Sequence, residues 1–127
     1  MKFAIDNQDK YTVISVLEKN LNTEMAPNLK SEFVILRNKG IQNLILDLAA
    51  VEFVDSSGLS AILTANRLWK RLGSFVLTGI AHPNVKKLIE ISRVDSVLTI
   101  IPTVSESIDF IFMDEIERQL NAGMDED

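Results

Sequence analysis

The spacing of apolar positions changes several times along the chain, and each change predicts an element. Residues 10–17 (KYTVISVL) are rich in β-branched side chains and roughly alternate, which is the pattern of a strand. KFAID, just before, reads as a short edge strand that pairs with it. Leu29, Phe33, Leu36 and Arg37 recur at helical spacing within 25–38. Pro27 falls in the first turn of that helix, where a missing N–H costs little, and Gly40 follows as a stop. NLILDLAAV (43–51) is a continuous apolar run with one carboxylate, predicting a strand covered on both faces. VDSSG interrupts it. Leu59, Ile62, Leu63, Asn66 and Trp69 then share one side of a helix over 59–72, closed by Gly73. SFVLTGI is another buried strand, Pro83 opens a helix over PNVKKLIEIS, and SVLTII (96–101) is the last strand. Thr103 and Glu106 have capping-box spacing, which starts a final helix near Ser105. Its apolar stripe is Ile108, Ile111, Phe112, Ile116 and Leu120, whose far end is a candidate for self-association.

From Leu44 onward strands and helices alternate, and such alternation implies right-handed crossovers and a mainly parallel sheet. The helical stripes are mostly one-sided, so the expected architecture is α/β with two layers. A single domain spans 1–120, and 121–127 form an acidic, flexible tail.

Composition narrows the function. A chain of 127 residues with 46% hydrophobic and 24% charged positions suits one globular core. The net charge of −5 disfavours nucleic acid, which needs a basic face. There are no cysteines, so disulfides, thiolate metal sites and a cysteine nucleophile are excluded. No apolar run reaches the roughly 18 residues of a membrane span, and the N-terminus has no signal-peptide pattern, so a cytoplasmic protein with no direct membrane insertion is expected.

The chemistry-bearing residues are few. A serine triad needs a histidine base, and the one histidine, His82, stands beside Pro83 as a capping or surface residue. Neither a nucleophile elbow nor a phosphate loop is present. Asp47, Glu52 and Asp55 are close in sequence but match no metal-cage spacing. The expectation is a chain with no catalytic residues, no metal and no cofactor of its own. Trp69 is read as core. DSSG (55–58) carries two readings that coexist. Asp55 or Ser56 is the N-cap of the following helix, contributing about 1 kcal/mol. A serine placed there also stands where α/β folds build their sites, and a phosphate on it would meet exposed N–H groups and a helix dipole.

These residues carry a family resemblance over roughly 9–110. NLILDLAAVEFVDSSGL leading into SAILTANRLWKRLG, then HPNVKKLIEIS and VDSVLTIIPTVSESI, resemble in order and spacing the STAS domain, specifically the bacterial anti-sigma factor antagonists. The resemblance implies the STAS fold, a central mixed, largely parallel β-sheet with helices packed mainly on one side. It also implies partner switching. The unphosphorylated antagonist binds an anti-sigma factor serine/threonine kinase, and a sigma factor is released. The kinase, using its own ATP and Mg²⁺, then phosphorylates the antagonist and ends the complex, and a serine phosphatase resets it. The modified serine of the family motif is matched by Ser56, with Asp55, Ser57 and Gly58 completing the motif. Ser57 is expected to be structural. Asn22 stands near the site where the family usually has an acidic residue, and Lys19 where it usually has glycine. Ser60, Ala61 and Thr64, small residues of the next turns, are expected to line the partner surface. The competing reading is a STAS subunit of a lipid-transport ABC permease complex, in which the serine is no switch.

Overall fold

The computed structural model describes residues 2–125. In chain order it contains β1 (Phe3–Asn7), β2 (Thr12–Val16), β3 (Asn20–Leu21), α1 (Ala26–Asn38), β4 (Asn43–Asp47), β5 (Phe53–Val54) and α2 (Ser56–Trp69). These are followed by β6 (Ser74–Thr78), α3 (Pro83–Ser92), a 3-10 turn (Val94–Ser96), β7 (Thr99–Ile101) and α4 (Val104–Asp125). The main sheet has five strands in the order β1-β2-β4-β6-β7. β1 runs antiparallel to β2, and every other pairing is parallel. A separate two-stranded ribbon pairs β3 with β5.

Strand alternation sorts the sheet residues into two cores. Ile14, Leu44, Leu46, Phe75 and Leu77 face one side, together with Leu29 and Phe33 of α1, Ile62 and Trp69 of α2, and Val85 and Ile89 of α3. Val13, Ile45 and Val76, which are in register across three strands, face the other side and meet Ile111 of α4. Helices therefore lie mainly on one side, as expected of the fold. The expected two layers become three where α4 crosses the back of the sheet.

Trp69 closes the main core. It is fully buried, packs edge-on against Phe33 with ring centroids 6.0 Å apart, and donates its indole N–H to Ile41 O at 3.0 Å. At the sheet's N-terminal edge a polar latch fixes α4. Asn43 donates to Lys10 O and accepts from Ser74 N, and Arg118 donates to the same Asn43 oxygen at 3.1 Å. Asp114 on α4 accepts from the Ser74 hydroxyl and pairs with Arg118 at 3.2 Å. At the predicted capping box Glu106 N donates to Thr103 Oγ1 at 3.1 Å, and the Thr103 hydroxyl donates to Glu106 Oε1 at 3.1 Å, so the threonine half of the motif is formed.

Several expected bounds change, among them those of the last strand, expected over 96–101, which is confined to Thr99–Ile101 after the 3-10 turn at Val94–Ser96. The strand predicted over 43–51 stops at Asp47, because the Asp47 carboxylate turns to accept from Ala49 N at 3.0 Å and the chain bends through Leu48. The helix predicted from Leu59 begins at Ser56. The expected flexible tail 121–127 is helical as far as Asp125, and residues 126–127 lie outside the described residues. Among the described residues no helix is long and apolar enough to cross a membrane.

Candidate functional site

After β4 the chain leaves the main sheet and re-forms as β5 on the small ribbon. Glu52 N and Phe53 N both donate to Lys19 O, and Asp55 N donates to Leu21 O at 3.2 Å. That pairing brings the 20–23 segment beside DSSG. It also sets the geometry of Gly58, which is buried. A Cβ there would lie 2.3 Å from Leu21 O and 2.9 Å from Val54 Cγ1, so only glycine lets α2 start this close to the ribbon.

Asp55 is the N-cap of α2. It has extended dihedrals, and its Oδ1 accepts from Gly58 N at 2.9 Å, satisfying one of the first-turn N–H groups that helices leave without an internal partner. Thr23, from the loop after β3, donates toward Asp55 Oδ2 at 3.4 Å and shares a hydrogen bond with the Ser57 hydroxyl at 3.2 Å. Ser57 is thus half-buried and engaged. Ser56 is the first residue of α2 and is exposed. The geometry distinguishes the two hydroxyls by place. One is built into the junction between ribbon and helix, and the other is presented to solvent.

Asn22 sits in the same junction. Its carboxamide oxygen accepts from Glu24 N at 3.1 Å and Met25 N at 3.3 Å, and its backbone oxygen accepts from Ala26 N, so it organises the turn into α1. Of the residues expected on the partner surface, Ser60 is exposed and Thr64 is half-buried, with its hydroxyl bonded back to Ser60 O at 2.8 Å. Ala61 does not belong there. It is fully buried, because Gly58, Ala61 and Ala65 share the inward stripe of α2 and their small size lets the helix pack tightly on the core. The residues beside Ser56 on the outer side of α2 are instead Leu59, Ser60 and Leu63, which line an open groove with Val97 of the loop before β7.

Two residues at the site are not visible from the sequence. Thr23 and Lys30, whose ammonium donates to Ser60 Oγ at 3.3 Å, are each about thirty residues from their partners, and no local pattern marks them. The carboxylates Asp47, Glu52 and Asp55 do not converge. Asp47 is held by Ala49 N, Asp55 by Gly58 N, and Glu52 lies 3.9 Å from Lys19 and 3.8 Å from His82. His82 caps α3, accepting from Asn84 N through Nδ1 at 3.2 Å.

Comparison with known proteins shows the family. The STAS domain family model matches residues 4–107. A Bordetella bronchiseptica protein named "Putative anti-sigma factor antagonist BtrV" is 31% identical over 93 residues, covering 72% of this chain and 78% of the relative. This chain is a STAS domain protein of the anti-sigma factor antagonist family. The crystal structure of a Thermotoga maritima protein described as a putative anti-sigma factor antagonist superposes on it with a TM-score of 0.75 at 26% identity, over 86% of this chain and 93% of that one. The phosphorylated form of the Bacillus cell fate determinant SpoIIAA has the same fold, with a TM-score of 0.66 at 20% identity over 86% of this chain and 98% of that one.

Proposed function

We propose that this STAS protein is a phosphorylation-switched antagonist of an anti-sigma factor that is itself a serine kinase, with Ser56 as the switch. Unphosphorylated, it binds the kinase and a sigma factor is released. Phosphorylation at Ser56 ends that complex, and a serine phosphatase restores it. The observation that carries this reading is the exposure of Ser56 at the start of α2 beside a neighbouring serine engaged by Thr23. The name of the 31% identical relative supports the antagonist role.

The chemistry asks little of this chain. The γ-phosphoryl group of ATP passes to Ser56 Oγ, ADP leaves, and the hydroxyl proton goes to a base of the kinase, which also holds the Mg²⁺. The antagonist supplies an accessible acceptor on a rigid helix start. Bound to the kinase, the outer side of α2 is the docking surface, with Leu59, Leu63 and Val97 as its apolar part and Ser60 beside the acceptor. A phosphoserine carries a charge of about −1.5 to −2. Placed at the edge of that contact and next to Asp55, it is desolvated and repelled, and losing such an interface contact costs about 2–5 kcal/mol.

The test is to incubate the chain with ATP and each histidine-kinase-like serine kinase of its source genome, and to map phosphate by mass spectrometry. The expected result is one phosphate on Ser56 from one cognate kinase, absent in Ser56→Ala. If every such kinase neither binds the chain nor modifies Ser56, the reading fails, and a permease-associated STAS subunit takes its place.

A further inference from the structure

Lys30 projects from α1 onto α2, where its ammonium lies 3.3 Å from Ser60 Oγ. Among the described residues the ion pairs join Lys19 and His82 to Glu52, and Arg118 to Asp114; Lys30 has no carboxylate within ion-pair distance. The ammonium's contact within the protein is a neutral hydroxyl, so a nearby anion would compete for it only with Ser60 and solvent. Its place is specific. Ser60 follows Ser56 by four residues in α2, so the two side chains neighbour one another on one helix face. Helical side chains lean toward the N-terminus, which directs the Ser60 hydroxyl toward the turn that holds Ser56.

We propose that Lys30 is the internal counter-ion of phosphorylated Ser56. On modification its ammonium leaves Ser60 and pairs with the phosphoryl oxygens, tying the start of α2 to α1. The inference rests on the switch reading above and adds a device to it. The phosphorylated form gains an ion pair within the antagonist. At the same time the Lys30 ammonium turns from Ser60 to the phosphoryl group, so the negative charge is held at home. Asp55, the N-cap carboxylate, opposes a dianion, and Arg67, which lines the same groove as Ser56, donates to Thr64 Oγ1 at 3.3 Å, two turns further along α2. Lys30 is therefore the group whose removal the phosphate should register.

The experiment installs phosphoserine at position 56 during translation, so no kinase is needed, and follows its second ionisation by ³¹P NMR. Lys30→Met keeps the aliphatic stem and removes the charge, Lys30→Arg keeps the charge, and Ser60→Ala removes the resting partner only. Far-UV circular dichroism of each confirms that it is folded. The expected result is a midpoint about 0.2–0.7 unit higher in Lys30→Met than in the parent, the range for an exposed ion pair. Lys30→Arg and Ser60→Ala should match the parent. Identical midpoints in the parent and Lys30→Met would overturn the proposal, as would a Ser60→Ala shift equal to that of Lys30→Met. Either result leaves the mass-spectrometric test of the switch untouched, and a failure of that test leaves this titration unchanged.

Discussion

Ser56 and Ser57 carry the same hydroxyl on adjacent positions, and their surroundings assign them different work. Ser57 shares a hydrogen bond with Thr23, which also reaches Asp55, so the three side chains brace the junction from which α2 starts. Ser57→Ala should therefore leave Ser56 a substrate, with a stability loss of about 0.5–1.5 kcal/mol read from urea unfolding. Loss of all phosphate incorporation in a folded Ser57→Ala would move the acceptor to Ser57. Gly58 is the residue on which the local geometry depends most. A methyl group there would meet the Leu21 carbonyl, a backbone atom that cannot swing away. Gly58→Ala should cost about 1–3 kcal/mol, the usual range for overpacking. A change below about 0.5 kcal/mol would mean that the ribbon and helix are not locked together in this way. At this scale the sequence left Asp55 and Ser56 as alternative caps, and the structure selects Asp55. Ala61 was misplaced because a small residue near a helix start fits a close interface and a tight core equally well. Thr23 and Lys30 were invisible because their contacts depend on how α1 and the β3–β5 ribbon fold back onto α2.

Elements were most legible where strong local signals bound them. Pro83 and the stripe of PNVKKLIEIS match α3 at both ends, and Thr103 with Glu106 marks the start of α4 to within one residue. The apolar stripe alone placed the start of α2 three residues late, because Ser-Ser-Gly has weak helix propensity, whereas the cap reading of Asp55 or Ser56 placed it within one residue. Asp55 and the close fit of Gly58 under Leu21 override that weakness, which is tertiary context and not propensity. The face chosen by α4 was equally hidden. Its stripe shows that one side is apolar, but which side of the sheet it covers follows from the register of Val13, Ile45 and Val76. Of the predicted stripe, Ile111 is buried and Phe112, Ile116 and Leu120 remain exposed. The latch of Asn43, Ser74 and Arg118 then holds the helix across the N-terminal edge of the sheet. Asn43→Ala would leave the Ser74 N–H and the Lys10 carbonyl without these partners, at a cost of about 1–3 kcal/mol for such unsatisfied groups. Hydrogen exchange should show faster exchange in α4 for this variant. Unchanged protection there would show that apolar packing alone holds α4.

Over the whole molecule, the sheet and its two cores form the frame, and the proposed switch, Ser56, is an exposed residue at the first turn of α2 beside a ribbon whose Leu21 belongs to the main core. A phosphoryl group on Ser56 thus changes surface charge without asking the core to repack. Amide shifts on phosphorylation should cluster in 20–30 and in the first turns of α2, with the residues of β4 and β6 unmoved; broad shifts through the sheet would indicate a conformational switch instead. The proposed functional consequence is then a change in binding that depends on one hydroxyl. Ser56→Ala should keep full affinity for the kinase, and Ser56→Asp, with a single negative charge, should weaken it. The most direct measurement is the dissociation constant of the cognate kinase for the unmodified chain and for the chain fully phosphorylated at Ser56, by titration calorimetry at fixed salt. The prediction is an affinity lower by about a hundredfold or more after phosphorylation. Equal affinity for the two forms would contradict it.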